Sequence, residues 1–121
     1  MTDLALRELT VRYGNRDAVH PLSLTVPSGG WLCLIGPNGA GKSSVMRATC
    51  GLAPHGGVIA IAGEETAAMT ARERARRVAY VPQAPVLPAD MTVFDYVLLG
   101  RSPFISYFGS VSAQDRVIAN D

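Results

Sequence analysis

Eight residues constrain this chain more than any others: Gly36-Pro37-Asn38-Gly39-Ala40-Gly41-Lys42-Ser43. They fit the pattern G-x-x-x-x-G-K-[ST] at every fixed position. An apolar run without a polar break, Trp31 to Ile35, precedes them, and a segment of helix-compatible spacing, Ser43 to Cys50, follows. Each residue type has a task in such a loop. Glycines allow a tight path on which successive backbone N–H groups turn inward around phosphate oxygens. The start of the following helix adds its partial positive charge at the same point. Lys42 can reach β- and γ-phosphates, the Ser43 hydroxyl can ligate Mg²⁺, and Ser44 can donate to a further phosphate oxygen. Lys42 is the only lysine, the other ten cations being arginine. A compact ammonium is thus kept for the one place where a point charge on a flexible stem is useful. A glycine-rich turn that merely links strand to helix would have no need of that lysine.

The rest of the chain reads as strands and short helices around this loop. Leu4 to Tyr13 and Val19 to Val26 alternate apolar and polar residues, which predicts two half-buried strands. Gly14-Asn15-Arg16-Asp17 between them has hairpin chemistry. Pro27 to Gly30 is a turn. Trp31 to Ile35 predicts a strand buried on both faces, as in a parallel sheet. Gly51 can cap the helix that begins at Ser43. Gly57 to Ala62 predicts a short strand closed by Gly63. Thr70-Ala71-Arg72-Glu73 is a capping box and predicts a helix to about Arg77. Val78 to Val81 predicts a strand ended by Pro82. Thr92-Val93-Phe94-Asp95, with Met91 as a staple, starts a helix to about Leu99. Gly100 to Gly109 is a loop, and Ser112-Ala113-Gln114-Asp115 opens a last helix. In these two boxes a shorter Asp replaces the usual Glu or Gln. The order is that of an α/β domain.

Composition removes several classes. With 48% hydrophobic and 17% charged residues the chain is globular rather than disordered. The net charge is +1 and no run of like charge is longer than Arg76-Arg77. That argues against a nucleic-acid partner or a polybasic membrane anchor. The apolar runs are too short to span a bilayer, and no secretory signal is evident. Cys33 and Cys50 lack metal-ligand spacing and are expected to be small buried residues in a reducing compartment. His20 and His55 are expected in loops or turns. Arg72, Arg74, Arg76 and Arg77 are expected to form a solvated helix face.

The loop Gly36 to Ser44 resembles that of the ABC transporter ATPases, and other landmarks fall in that family's order. The resemblance covers essentially the whole chain. It makes Tyr13 the aromatic that stacks on adenine, although a tyrosine at a strand end can equally just pack there. It makes Gln83, in Tyr80-Val81-Pro82-Gln83, the Q-loop glutamine that touches the metal site and links it to the membrane subunit. Gln83 can also be a plain solvated amide, but its oxygen is a suitable hard ligand beside Ser43, just past a strand's carboxyl end. The resemblance implies ATP and Mg²⁺, with Tyr13, Gly36, Pro37, Asn38, Gly39, Ala40, Gly41, Lys42, Ser43, Ser44 and Gln83 around the nucleotide.

The implied fold is α/β: an incomplete P-loop NTPase domain of the ABC type. It would have an antiparallel β subdomain, part of the parallel core sheet and the start of a helical subdomain. Residues 1–83 would be the β subdomain and nucleotide-binding core, and 84–121 the start of the helical subdomain. The family's Leu-Ser-Gly-Gly-Gln signature does not occur between Ala84 and Asp121. Val117 to Asp121 superficially resembles a Walker B strand, but it has helical periodicity and no glutamate follows. The catalytic glutamate and switch histidine are not found either. The chain is therefore expected to be the front part of a longer domain, binding nucleotide without turning it over. Asp90 to Phe104, with Gly100-Arg101-x-Pro103, and Ser112 to Arg116 resemble the branch that energises import of iron-siderophores, haem and cobalamin. That branch implies a peripheral subunit on the cytoplasmic face of a bacterial membrane, paired with a permease and a second ATPase subunit. A soluble ABC protein of translation or DNA repair, a P-loop kinase of small molecules and a non-catalytic binding fragment remain alternatives.

Overall fold

A computed structural model describes residues 3–121. The chain divides between Tyr80 and Val81 into two compact units.

The first unit is built on one sheet. Strand β1 (Leu4–Tyr13) pairs with β2 (Arg16–Val26) and with β3 (Gly56–Ile61), and β3 pairs with β4 (Glu64–Glu65). The order is β2-β1-β3-β4 and every pairing is antiparallel. Two tight hairpins set the register. Gly14, at φ 57, takes the first central position of the β1–β2 turn, where only a residue without a Cβ is comfortable. Ala62 and Gly63, at φ 54 and 78, turn β3 into β4. Pro21 lies in β2, an edge strand, where its missing N–H costs no ladder bond.

The sheet buries one face. Leu6, Leu9 and Val11 of β1, Val19 of β2 and Ile59 of β3 form a cluster with Val45 and Ala48 of helix α1 (Lys42–Thr49). β1 bulges near Glu8, which sits at φ 49. Ser23 holds the bulge: its Oγ accepts from the Glu8 N–H at 2.9 Å and donates to Glu8 Oε1 at 2.9 Å. Helix α1 ends at Gly51, φ 72, with Gly51 N–H bonded to Ala48 O and Leu52 N–H to Arg47 O. That pair of bonds is the Schellman arrangement anticipated from the glycine. Helix α2 (Ala71–Ala75) starts on the complete Thr70–Glu73 capping box.

The second unit contains α3 (Val93–Leu99) and α4 (Ala113–Asn120). Both start on complete capping boxes, Thr92 with Asp95 and Ser112 with Asp115. An aspartate at the fourth position is thus long enough. Arg101 joins the two helices: its Nε donates to Asp115 Oδ1 at 2.9 Å, and its guanidinium lies 4.3 Å from the Phe104 ring centroid. Among the described residues no helix is long and apolar enough to cross a membrane.

Several element-level expectations are corrected. Trp31–Ile35 and Val78–Val81 are not strands, and no parallel pairing occurs among the described residues. Trp31 and Ile35 are each 92% exposed and Val81 is 81% exposed. A strand of that kind forms only with hydrogen-bonded neighbours along its edges, and no described residue pairs with either segment. Only Leu34 of the run packs against the core cluster. Cys33 is exposed for the same reason, and Cys50 is half-buried. Burial raises the Cys50 thiol pKa, with the Arg74 charge pulling partly the other way. His20 lies in β2 rather than in a loop. The arginines of 72–77 are only partly a solvated face: Arg76 and Arg77 are exposed, Arg77 pairing with Glu64 at 2.7 Å, while Arg72 and Arg74 are half-buried, with the Arg74 guanidinium over Gly51.

Candidate functional site

The loop from Gly36 to Gly41 leads directly into α1. Ala40 N–H bonds to Pro37 O at 3.2 Å, closing a turn in which Gly39 holds the third position at φ 84. That φ is the one a type II turn demands there. Gly41 is the residue before the helix, at φ 91 and ψ 2. A Cβ on Gly41 would meet Ala18 O at 2.4 Å and Val19 Cγ2 at 3.0 Å. The second glycine of the pattern is thus required twice, by its left-handed backbone and by the approach of β2.

The support on the β2 side is a bulge. Val11 pairs with Val19 and Arg12 with Asp17, so Ala18 is the extra residue. Such an extra residue re-aims the backbone, and the Ala18 carbonyl is where Gly41 comes against the strand. Nothing in the sequence signals this contact, because it depends on strand register. Behind the loop, Val45 and Ala48 fix α1 in the core.

No side chain caps the N-terminus of α1, and no acidic residue stands in its first turn. The first-turn N–H groups are therefore available to an anion and face no competing carboxylate on the helix. Lys42 folds back over the loop: its Nζ donates to Gly36 O at 2.6 Å and to Pro37 O at 2.7 Å. An ammonium has three protons. Two hold the side chain at the loop mouth and the third remains for a ligand. Ser43 is exposed and Ser44 half-buried at the same turn. The arrangement suits a polyphosphate: a glycine-lined backbone, an uncapped helix start, a pinned cation and a hydroxyl.

The sequence-predicted residues fall into three places. Gly36 to Ser44 form one continuous feature. Tyr13, 46% exposed, closes the β1–β2 hairpin opposite Arg16. It is joined to the loop through β2, since Arg16 lies two residues from Ala18, about 7 Å of strand. Gln83 belongs to the second unit, exposed in a bend after Pro82.

The ABC transporter family model matches residues 19–120. The chain belongs to the ABC transporter family. The match contains the loop and Gln83, while Tyr13 precedes it. The chain is 34% identical over 119 residues to the iron(3+)-hydroxamate import ATP-binding protein FhuC of Bacillus subtilis, covering 98% of the chain and 44% of that protein. It is 40% identical over 102 residues to the hemin import ATP-binding protein HmuV of Bordetella pertussis, covering 84% of the chain and 39% of HmuV. The chain thus spans less than half the length of these relatives. Among solved structures, an ATP-binding subunit of an ABC transporter matches with a TM-score of 0.72 and 29% identity, covering 84% of the chain and 42% of its own. A bacterial Atm1-family ABC exporter with ATP bound matches with a TM-score of 0.75 and 27% identity, covering 93% of the chain and 19% of its own. The α/β fold class is that of a partial ABC-type P-loop NTPase domain.

Proposed function

We propose that this chain is the phosphate-binding part of an ATP-binding subunit of an ABC importer for an iron complex, haem or cobalamin. The observation that carries the reading is the loop: Gly41 seated on β2, an uncapped helix start, and Lys42 held at the mouth by Gly36 O and Pro37 O. The importer class is supported by relatives named for iron-hydroxamate and hemin import, which are more similar in sequence than the exporter structure.

In this reading the backbone N–H groups of Gly39 and of Gly41 to Ser44 receive the phosphates and Lys42 offsets their charge. Tyr13 stacks on the base, an interaction that discriminates little between purines. Mg²⁺ would sit on the Ser43 side, with Gln83 as the other residue of this chain directed to it. Bound Mg²⁺ supplies charge neutralisation and orientation of the terminal phosphates. Residues 1–83 act as β subdomain and nucleotide core, and 84–121 as the beginning of the helical subdomain. The parent subunit works as one of two ATPase subunits on a permease, peripheral to the inner face of the bacterial membrane, without a nucleic-acid partner. In this reading the chain binds Mg-ATP without turning it over, since the catalytic glutamate and switch histidine of the family are not found in its sequence.

Titration of a fluorescent ATP analogue tests this. Lys42→Ala is expected to remove on the order of 1.5–3 kcal/mol of binding, roughly tenfold to a hundredfold, while exposed Arg7→Ala changes little. Equal losses in both variants would move the phosphate site away from the loop. Phosphate release from wild type that Lys42→Ala abolishes would overturn the claim of binding alone.

A further inference from the structure

We propose that the cavity between the end of α1 and helix α2 is a binding site for a small organic anion, an apolar body carrying one carboxylate, with the Arg74 guanidinium as its counter-charge. The site lies at the opposite end of α1 from the phosphate loop and does not depend on the nucleotide-binding reading.

Three short pieces of the first unit build the cavity. Helix α1 stops at Gly51, and Cys50 and Gly51 form one wall. Ala71, Arg74 and Ala75 of α2 are spaced i, i+3 and i+4, so they lie along one side of the helix and form the second. Val78 and Tyr80 close the third. The two alanines leave room that longer side chains would occupy. The volume is about 330 Å³. Small-molecule sites run from roughly 300 to 1,000 Å³, mostly apolar with a few polar groups that fix orientation.

Charge decides what fits there. Arg74 is half-buried and makes no ion pair among the described residues. Its neighbours are committed elsewhere. Arg77 is neutralised by Glu64 at 2.7 Å. Glu73 Oε2 accepts from the Thr70 N–H and from Thr70 Oγ1, each at 2.7 Å, and no acidic residue lines the cavity among the described residues. The Arg74 guanidinium lies against Gly51, where a Cβ would collide with its Cζ and Nε. It is not needed there to cap α1, because the Met46, Arg47 and Ala48 carbonyls already accept from the N–H groups of Cys50, Leu52 and Gly51. Its planar fork of donors is open to a carboxylate. The apolar remainder of the wall suits an uncharged body and disfavours a bare, strongly hydrated ion. Burial raises the Cys50 thiol pKa and the Arg74 charge pulls it partly back. The thiol therefore reports events at the guanidinium.

The probe is benzoate, with benzamide as its uncharged counterpart. The readout is protection of Cys50 from iodoacetamide, followed by mass spectrometry on the full chain carrying Cys33→Ser, which leaves Cys50 as the single thiol. Circular dichroism confirms that each variant keeps the β signal. Benzoate is expected to protect saturably, and benzamide to bind about tenfold less tightly. Arg74→Gln should weaken benzoate by about the same factor and leave benzamide unchanged. Ala75→Leu, which fills the cavity and keeps the charge, should weaken both. Lys42→Ala should change neither. Equal protection by the two compounds would overturn the anion site, as would benzoate protection that survives Arg74→Gln. Protection unaffected by Ala75→Leu would place the ligand outside the cavity, and protection lost in Lys42→Ala would place it at the phosphate loop; either result also overturns the proposal. If benzoate does not protect Cys50 at all, the proposal falls and the nucleotide reading is untouched.

Discussion

The two units of this chain are held together by different physics. Every fully buried hydrophobic residue among the described residues lies in the first unit, from Leu6 to Met69. The one buried residue of the second unit is an aspartate, Asp115. In the same unit Val93, Val97, Leu99, Phe104, Val117 and Ile118 stay at least 45% exposed. The first unit is stabilised by apolar surface brought together from distant parts of the sequence. The second has local caps and one ion pair between helices. The difference bears on function. The phosphate loop is anchored in the first kind of structure, with α1 packed on the sheet and Gly41 against β2. A site needs such a frame to hold backbone N–H groups in place without a ligand.

The largest test of this contrast is Leu9→Ala. Leu9 is wholly inaccessible at the centre of the β1 face. Removing it is expected to cost about 2–5 kcal/mol, the range for leucine truncation in packed cores. Ile118→Ala, at a position 45% exposed, is expected to cost well under half of that. Chemical denaturation gives the magnitudes, and hydrogen exchange shows where the loss falls. Protection should drop across β1, β3 and α1 after Leu9→Ala and remain in α3 and α4. Comparable costs at the two positions would break the comparison.

The same contrast separates what was legible in the sequence from what was not. The three capping boxes and the Gly51 stop are codes of four or five residues, and each forms as read because its donors and acceptors are neighbours. The β1–β2 hairpin is legible on the same ground. The phosphate loop is legible because the residue types match bonding tasks that the loop itself completes. Trp31–Ile35 and Val78–Val81 misled, because an apolar run states only that a strand would be stable if paired. The pairing is a property of other segments. The bulge at Ala18 and the left-handed Glu8 were invisible for a related reason. Each exists through register, and register depends on two strands at once. Glu8 even needs a third participant: a Cβ on Gly57 would meet the Glu8 carbonyl oxygen at 2.2 Å. Tyr13 is legible only by resemblance, and its pairing with Arg16 is a property of the ladder.

A smaller effect is expected from Ser112→Ala. The Ser112 Oγ accepts from the Asp115 N–H at 3.1 Å and donates to Asp115 Oδ2 at 2.6 Å. Loss of an N-cap hydroxyl costs about 0.5–2 kcal/mol in helix stability. Exchange at the amides of α4 should quicken, while β1 and α1 keep their protection. Quickening in α1 as well would mean that the two units share one cooperative transition and are not energetically separate.

Acid gives the smallest and the sharpest test, because it acts on the kind of interaction rather than on the unit. The Asp115 carboxyl is held below the usual carboxylate range, first by the Ser112 hydroxyl, then by the Ser112 N–H and by Arg101. Glu73 is lowered in the same sense by the Thr70 hydroxyl and N–H, with Arg77 and Arg76 adding to it. A carboxyl whose pKa is depressed by folding contributes stability that is complete above its ordinary pKa. That contribution is lost as pH falls through the lowered native value. Acidification below the usual carboxylate range should therefore loosen α4 in the second unit and α2 in the first. Both should open before the β1–β3 ladder, whose apolar contacts carry no titrating group. Hydrogen exchange over a descending pH series, corrected for intrinsic rates, reads the order directly. If α2 held to the same pH as β1 while α4 opened early, the units would differ as whole bodies. If α2 and α4 opened together, the boundary that matters would run between capped helices and packed sheet, and it would cross the first unit.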